Sequence, residues 1–398
     1  MSKSKIFLVV SLIFLSSNFV WLKFFDISQN NPDFVYDEFY SFKALIKNTD
    51  KKLNGWQIII QPQDLANFSG NILLTTSCTH SLELSAILLN LMPGDEVIVP
   101  SFTFVSSALA FYMHGANIVF SDIRKDTLNI DESNLENLIT CRTKAIVVVH
   151  YAGVACEMDS ISKISEKYGL TIIEDNAHGL YGKYKGASLG TIGHMATQSF
   201  HETKNYTCGE GGAIIINDSK YNNRAEIILE KGTDRSNFFR GSVDKYSWVD
   251  KGSSYVMSDI LAAFLYGQIK KSKDIQKARE NVWNYYYSEL TDWSVKNNIQ
   301  LPYIPGFCQQ GYHMFYMLMP NLQIRDRFIS YLKNNGIQAV FHYLPLHLSK
   351  MGIKISENSS ICLVSENSSD RLVRLPFFNG IKTSELEYIV EKIINFQL

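Results

Sequence analysis

Residues Ala196 to Asn217 read ATQSFHETKNYTCGEGGAIIIN. The apolar runs at the two ends, Ala196–Phe200 and Ala213–Asn217, have the length and composition of short buried strands. Lys204 and three glycines lie between them, and glycine allows tight backbone that other groups can approach closely. The stretch therefore predicts two strands joined by a loop that carries one lysine.

Five more runs of the same kind precede this stretch, and segments of helical length separate most of them. Such alternation favours crossover units and a mainly parallel sheet with helices on both faces, an α/β fold. Because function in such sheets lies at the carboxyl ends of the strands, we expect the site there. The five runs are Asn71–Thr75, Glu96–Pro100, Asn117–Phe120, Ala145–His150 and Leu170–Ile173.

The pattern of the sequence changes beyond Lys251. A long helix is predicted over Ser258 to Tyr287, and weaker strand and helix signals follow it to the C-terminus. Three segments are therefore expected: an atypical N-terminal segment over residues 1–68, a large domain over 69–255, and a linking helix with a smaller C-terminal α+β domain over 256–398.

Composition excludes several classes of protein. The chain has 398 residues and a formal net charge of −1, and its charges are interspersed, so no field would gather nucleic acid or an anionic membrane. The six cysteines form no CxxC pair, which argues against a zinc site and a disulfide scaffold and favours reduced thiols in the cytoplasm. HYLPLH (His342 to His347) has two histidines without a third ligand, so no metal is expected.

The N-terminal residues carry the one signal against a cytoplasmic location. Two lysines precede an apolar run over Ile6 to Leu15, as in a secretory signal. No cleavage-site pattern follows, and Asn18 and Lys23 interrupt the run before it reaches the roughly 20 residues that span a bilayer. Two explanations remain for residues 1–68: a genuine membrane or secretion signal, and a reading-frame disturbance, which we favour.

Lys204 is the candidate nucleophile. A lysine whose site lowers its pKa forms a Schiff base with a carbonyl compound, and pyridoxal phosphate (PLP) is the usual one. In TIIEDNAHG (Thr171 to Gly179), Asp175 could pair with a protonated ring nitrogen and His178 with a ring hydroxyl. Each residue alone has a simpler explanation, as a solvated lysine, a capping aspartate or a loop histidine.

Two further motifs follow predicted strands. SCTHSLE (Ser77 to Glu83) opens a predicted helix, whose free amides and the hydroxyls of Thr79 and Ser81 could bind an anion. Serine and threonine are also ordinary capping residues at such a position. In PSFTFVSS (Pro100 to Ser107), the ring of Phe104 could stack on a planar cofactor or pack in the core.

These motifs together resemble the DegT/DnrJ/EryC1/StrS aminotransferases, which have PLP fold type I, the fold of aspartate aminotransferase. The resemblance covers residues 71–398, and it implies PLP as the cofactor. It also implies amino transfer, because sugar dehydratases of the same group have a histidine at the position of Lys204. The motifs that carry it are PGDEVIVPSFTFV (Pro93 to Val105), VHYAGVACEMD (Val149 to Asp159), IIEDNAHG (Ile172 to Gly179) and SFHETKNYTCGEGG (Ser199 to Gly212).

The resemblance implies roles around the cofactor ring. Lys204 would be the Schiff-base lysine and the general acid and base, and Asp175 would pair with the pyridine nitrogen. His178 would lie near the ring hydroxyl, and Phe104 would stack on the ring.

The cofactor phosphate and the substrate have their own candidate residues. Cys78, Thr79 and Ser199 are implied to hold the phosphate, Cys78 through its backbone amide. Arg235, Arg240 and His342 are substrate candidates. A guanidinium can grip a carboxylate or a diphosphate in bidentate fashion, although ordinary surface arginines are an equal alternative.

The implied reaction moves an amino group from L-glutamate to dTDP-4-keto-6-deoxy-D-glucose and gives dTDP-4-amino-4,6-dideoxy-D-galactose for cell-surface polysaccharide. The implied enzyme is a homodimer in which each site uses both chains. KGTDRSNFFRG (Lys231 to Gly241) and GSSYVMSD (Gly252 to Asp259) carry this narrower similarity. The alternatives are another 3- or 4-keto nucleotide-sugar aminotransferase, a catalytically impaired relative, and a PLP-binding regulator.

The sequence departs from the family in two places. Val256 stands where many members have an arginine or asparagine that would reach the phosphate of the partner subunit. The family also begins with a glycine-rich loop for the sugar nucleotide, whereas here Lys52–Gly55 is followed by Trp56–Ile60. We therefore expect the chain to bind PLP and to bind sugar nucleotide poorly.

Overall fold

The computed structural model describes residues 70–356 and 361–398. Those residues all belong to one structural unit. The atypical segment over residues 1–68, with its apolar run and the Lys52–Gly55 motif, lies outside the described residues. None of the helices in the described part of the chain is both long and apolar enough to cross a membrane.

The first 150 described residues form a sheet with short connections. Its seven strands run in the spatial order first, ninth, eighth, fifth, fourth, second and third strand of the chain. The strands up to this point are β1 (Asn71–Thr75), β2 (Glu96–Pro100), β3 (Asn117–Ser121), β4 (Thr143–Val149), β5 (Thr171–Asp175), β6 (Lys183–Tyr184), β7 (Ala187–Ser188), β8 (Met195–Ser199) and β9 (Gly212–Ile216).

The prediction of a mainly parallel α/β sheet is confirmed. Strand β9 is antiparallel to both of its neighbours, β1 and β8, and the other neighbouring pairs are parallel. All seven predicted runs are strands of this sheet. The two-residue strands β6 and β7 pair with each other and were not predicted, because so short a segment shows no alternation.

Helices cover both faces of the sheet. Val97 and Val99 of β2 pack in one cluster with Leu84, whereas Ile98 packs in another cluster with Ile161 on the opposite face. Successive side chains of a strand point to opposite faces, so a run of buried residues such as Glu96–Pro100 requires cover on both. The described helices are α1 (Cys78–Leu88), α2 (Ser106–Tyr112), α3 (Leu135–Leu138), α4 (Met158–Tyr168), α5 (Asn222–Leu229), α6 (Arg235–Phe239), α7 (Asp259–Lys270), α8 (Ser272–Lys296), α9 (Leu322–Asn334), α10 (Lys350–Ile355), α11 (Leu363–Arg371) and α12 (Thr383–Ile394).

The predicted long helix is two helices. The prediction over Ser258 to Tyr287 was wrong in this respect, since α7 ends at Lys270 and α8 begins at Ser272. Lys271 between them has φ −99° and ψ 14°, outside the regular helical conformation. The acidic Asp274 in the first turn of α8 suits a helix start and is the signal that could have marked it.

A second core lies in the C-terminal part of the chain. Strands β11 (Tyr316–Leu318) and β12 (Leu372–Arg374) pair antiparallel, and β10 (Cys308–Gln309) pairs with β6. Phe315, Phe328 and Ile389 form one hydrophobic cluster with residues of α8. A domain boundary at residue 255 or 256 stays a prediction.

A buried hydrogen-bonded pair, His150 and Glu174, fixes the edge of the sheet at which the site was expected. His150 Nε2 and Glu174 Oε2 lie 2.9 Å apart, and both side chains are fully buried. The Glu174 carboxylate also accepts hydrogen bonds from the backbone amides of Gly190, Ile192 and Gly193. Burial raises the pKa of this carboxyl, but the bonds from His150 and the amides outweigh burial, and the net shift is downward.

Candidate active site

Lys204 lies in the loop between β8 and β9, at the carboxyl end of β8. Its backbone amide donates to the carbonyl of His201, which closes a turn. Burial lowers the pKa of the Lys204 ammonium, the charge of Arg374 lowers it further, and Cys78 and Asp175 act in the opposite direction. A lowered pKa increases the fraction of neutral amine, which is the form that acts as a nucleophile and base.

Asp175 is the last residue of β5 and is buried. The Ser107 hydroxyl donates to its Oδ2 at 2.7 Å, and the backbone amide of Ala177 donates to its Oδ1 at 3.2 Å. Thr103 Oγ1 lies 3.0 Å from Ser107 Oγ and holds that serine in place. These donors hold the carboxylate of Asp175 in one orientation, as a partner for a protonated ring nitrogen requires.

The first turn of α1 lies beside the glycine-rich end of the loop. Ser77 is the N-cap of this helix, with its Oγ accepting from the amide of His80. A Cβ on Gly212 would lie 2.4 Å from the amide nitrogen of Cys78, so only glycine allows β9 to approach the helix start this closely. The arrangement leaves free amides of a helix N-terminus at the carboxyl edge of the sheet, where they are able to bind an anion, and the phosphate site stays a prediction.

The predicted phosphate residues surround this helix start. Thr79 Oγ1 lies 2.8 Å from Ser106 Oγ, and Cys78 Sγ lies 3.5 Å from Thr197 Oγ1. Burial raises the pKa of the Cys78 thiol, so its side chain stays neutral. Ser199 lies opposite Gly212 in the ladder of β8 and β9. The Ser81 hydroxyl is fully buried 2.6 Å from Thr75 Oγ1 and is not available to a ligand.

Three histidines lie close together beside the lysine. The rings of His178 and His313 stack with their centroids 4.0 Å apart, and the His342 ring lies 6.3 Å from that of His178. His313 Nδ1 pairs with Asn205 Oδ1 at 2.8 Å, which ties the residue after Lys204 to this cluster. Nδ1 of His178 is buried and has no hydrogen-bond partner among the described residues.

All three imidazoles are neutral because of their surroundings. Burial lowers the pKa of His178 and His313 well below the usual range and lowers that of His342 to about 2. The positive charges of Lys204 and Arg374 add to this lowering in each case. A neutral imidazole can donate one hydrogen bond and accept another, which suits the neighbour of a ring hydroxyl.

Phe104 stands at the opening of this region. Its side chain is 58% exposed, and its ring centroid lies 6.4 Å from that of Tyr343. An exposed ring next to a buried aromatic cluster can cover a planar ligand, so stacking on the cofactor stays a prediction. Phe102, two residues earlier, is buried in the core instead.

Arg235 and Arg240 lie on or next to α6 rather than in the cluster around Lys204. Arg235 Nη1 is 3.9 Å from Glu230 Oε2, and Arg240 Nη2 is 2.6 Å from Glu226 Oε2. Both arginine side chains are about half exposed, which leaves them accessible to an anion but already paired with carboxylates. Their role as a substrate clamp stays a prediction.

Several residues of the site were not found from the sequence. Ser107 lies within the quoted PSFTFVSS motif, but nothing there indicates that its hydroxyl reaches Asp175. His313 and Arg374 come from the C-terminal part of the chain and carry no local motif. The Tyr151 hydroxyl and His342 Nδ1 form a hydrogen bond of 2.9 Å. Tyr151 lies in the VHYAGVACEMD motif, and that motif was the sequence feature that could have pointed to it.

The residues present fit PLP. A buried carboxylate, a lysine of lowered pKa and a helix N-terminus bordered by glycine lie at one edge of the sheet. The unpartnered Nδ1 of His178 matches a ring hydroxyl. These features define the class of a PLP enzyme with an α/β sheet.

Comparison with known proteins agrees with this class. The model of the DegT/DnrJ/EryC1/StrS aminotransferase family matches residues 62–394, so the chain belongs to that family, and PLP is its cofactor. It is 38% identical to the uncharacterized protein MJ1066 of Methanocaldococcus jannaschii over 68% of this chain and 71% of the relative. It is 29% identical to the spore coat polysaccharide biosynthesis protein SpsC of Bacillus subtilis over 83% of this chain and 87% of the relative.

Solved structures share the fold. The structure of a DegT DnrJ EryC1 StrS aminotransferase from Brucella abortus matches this chain with a TM-score of 0.79 at 25% identity. The match covers 92% of this chain and 97% of the Brucella chain. The PMP-form of the putative sugar aminotransferase Spr1654 from Streptococcus pneumoniae has a TM-score of 0.79 at 24% identity, with 89% and 95% covered. PLP fold type I is therefore confirmed.

The three neutral histidines predict loss of stability in acid. Because the pKa of His342 falls from 6.5 to about 2 on folding, the unfolded chain binds a proton between these values that the folded chain does not. The free energy of unfolding should thus fall between pH 7 and pH 5, by about 2 kcal/mol from His342 alone. Urea unfolding of wild type and His342→Gln at both pH values measures this, and the variant should lose about 2 kcal/mol less. Equal losses would contradict it.

Proposed function

We propose that this protein transfers an amino group from L-glutamate to the keto carbon of a nucleotide-linked sugar, namely dTDP-4-keto-6-deoxy-D-glucose. The observation that carries the proposal is the lysine of lowered pKa beside the fixed carboxylate of Asp175, in a chain of the aminotransferase family. The names of several relatives refer to sugar aminotransferases and to polysaccharide biosynthesis, which supports a sugar acceptor. The narrower motifs in Lys231–Gly241 and Gly252–Asp259 support the dTDP-4-amino-4,6-dideoxygalactose product.

Each proposed role follows from the position and surroundings of the residue. When bound, PLP supplies an electron sink for the carbon that loses or gains a proton. Lys204 as a neutral amine would accept the proton from that carbon and return it to the neighbouring position. Asp175, held by Ser107, would present its carboxylate to the ring nitrogen. His178 would hold the ring hydroxyl, and the start of α1 would hold the phosphate.

The catalytic role of the lysine gives the first test. Lys204→Ala should reduce the rate of transamination by at least about 1,000-fold, because it removes the nucleophile and the base together. The rate is measured with glutamate by the absorbance of the bound cofactor. Lys220→Ala, which changes an exposed lysine paired with Asp218, is the matched control and should retain wild-type rates. Retained turnover in Lys204→Ala would remove Lys204 from the mechanism.

The acceptor is tested with a panel of nucleotide keto sugars. We expect dTDP-4-keto-6-deoxy-D-glucose to be converted to the 4-amino sugar with the galacto configuration, as read by mass spectrometry and NMR of the product. Conversion of a 3-keto sugar instead would favour the alternative aminotransferase. Conversion of the cofactor by glutamate without any sugar product would favour the impaired relative that the departures near the N-terminus suggested.

We also propose that the active unit is a homodimer. Its support is a cluster of exposed aromatic side chains near α6, in which Phe239 is 64% exposed and Trp248 is 82% exposed. The ring of Phe238 lies within 6 Å of those of Phe239 and Tyr246, so these three groups form one patch, and the exposed Trp248 follows Tyr246 by two residues. Exposed apolar patches of this kind commonly mark protein interfaces.

Light scattering tests the dimer. The mass should be twice the 45.3 kDa of one chain, and Trp248→Asp should shift the protein toward the monomer, because a charge would be buried at the contact. Val295→Asp changes a 77% exposed residue of α8 and serves as the control. A wild-type protein that is fully active as a monomer would refute the proposal.

A further inference from the structure

A cavity of about 490 Å³ lies in the C-terminal part of the chain, between α8 and the segment over residues 302–312. Its volume is within the range of about 300–1,000 Å³ that is usual for small-molecule sites. Among the described residues that line it, none is charged and none belongs to the candidate active site. The cavity therefore suits a second ligand without a net charge, because a buried charge requires a partner.

Aromatic rings form much of the cavity wall. Trp283 and Tyr287, one turn apart on α8, stack with their ring centroids 4.9 Å apart and their planes 13° from parallel. The ring of Tyr312 lies 6.2 Å from that of Trp283. Tyr287 is 40% exposed and Tyr303 is 50% exposed, so both rings are open to a ligand. Such rings provide a flat apolar surface with a hydroxyl at the edge.

Three primary amides line the same cavity, those of Asn284, Gln309 and Gln310. Gln310 is only 4% exposed, yet its side-chain amide has no hydrogen-bond partner among the residues that the structure describes. A buried amide without a partner is unfavourable, and an apolar ligand would leave it in that state. The ligand that fits must therefore carry hydrogen-bonding groups as well as apolar surface.

The cavity wall is held in position by contacts of its own. Tyr312 has φ 49°, a conformation that bulky residues rarely adopt. Arg279 Nε donates to the Tyr312 carbonyl at 2.8 Å, and the Tyr312 hydroxyl donates to Glu280 Oε1 at 3.3 Å. Because such a conformation persists only where the surrounding structure imposes it, the wall keeps its shape without a ligand.

We propose that this cavity binds a neutral saccharide, with a sugar ring packed on Tyr287 and its hydroxyls bonded to Gln310 and the neighbouring amides. A pyranose has an apolar face of C–H groups and an edge of hydroxyls that donate and accept, so it matches aromatic surface and amides together. A nucleotide would find no cation in the lining. The proposal goes beyond the proposed function, because a sugar bound here lies outside the cluster around Lys204 and is not the sugar that is aminated.

The first arm measures binding directly. The PLP-loaded full chain is titrated with the methyl glycosides of glucose, galactose and N-acetylglucosamine, and binding is followed by ligand-observed NMR. We expect saturable binding of at least one glycoside. Tyr287→Ala and Gln310→Ala should each weaken it by about 3- to 10-fold, through loss of stacking surface and of a buried hydrogen bond. Tyr388→Ala, which changes a 43% exposed tyrosine of α12, is the matched control and should bind as wild type does.

The second arm separates lost binding from lost structure. Tyr287→Phe keeps the ring and should bind within about twofold of wild type. Tyr303→Ala changes another exposed ring of the cavity and should weaken binding by a factor similar to that of Tyr287→Ala, so the test does not depend on the folding of one variant. Circular dichroism and the thermal midpoint of each variant report whether it is folded.

The third arm tests the ligand class and the location. Glucuronate, which carries a carboxylate, should bind at least about 5-fold more weakly than the glucoside, because no lining residue is a cation. Lys204→Ala should bind the glycoside as wild type does, since Lys204 does not line the cavity.

Three outcomes would overturn the proposal. They are the absence of saturable binding by all three glycosides, binding that Tyr287→Ala, Tyr303→Ala and Gln310→Ala leave unchanged, and binding that only Lys204→Ala removes, which would place the sugar in the active site. Failure of the wild type to aminate any nucleotide keto sugar would refute the proposed function instead, and the titrations with glycosides would still decide whether the cavity binds a saccharide.

Discussion

The carboxylate of Glu174 is the interaction on which the site depends. It is fully buried, it pairs with His150 at the end of β4, and it accepts three amides from the turn that leads into β8. One side chain of β5 thus ties the carboxyl end of β4 to the turn that precedes β8. Because successive residues of a strand face opposite ways, fixing Glu174 also fixes Asp175, which points to the site. Removing one partner would leave a buried polar group without its hydrogen bond, which costs about 1–3 kcal/mol, so the constraint is strong.

Burial shifts the pKa values of the titratable side chains around this edge of the sheet. Three histidines remain neutral, and the lysine is biased toward its neutral amine, because desolvation and neighbouring cations both oppose protonation. Asp175 keeps two hydrogen-bond donors. The site thereby combines an amine base with a carboxyl group held in one orientation, and no carboxylate of the described residues pairs with Arg374. Such a combination leaves room for an anionic ligand.

The C-terminal part of the chain supplies further residues of the candidate site. His313, His342, Tyr343 and Arg374 all follow residue 300, and they contact or act on groups at the carboxyl edge of the sheet. Arg279 of α8 donates to the carbonyls of Tyr312 and His313 and so fixes the segment that carries His313. The cluster around Lys204 therefore combines residues of the large sheet with residues of the C-terminal part.

The sequence by itself determined the seven strands, their mainly parallel order and the family, because fully buried strands are continuous apolar runs and because Lys204 and Asp175 stand in motifs local to one strand end. It did not determine the break at Lys271, where one residue leaves the helical conformation within a continuous polar stretch. Nor did it determine that Ser107 supports Asp175, that His313 stacks on His178, or that Arg374 is unpaired. The contact between Ser107 and Asp175 joins residues 68 positions apart, and that between His178 and His313 joins residues 135 positions apart. Only the packing of the folded chain brings such residues together.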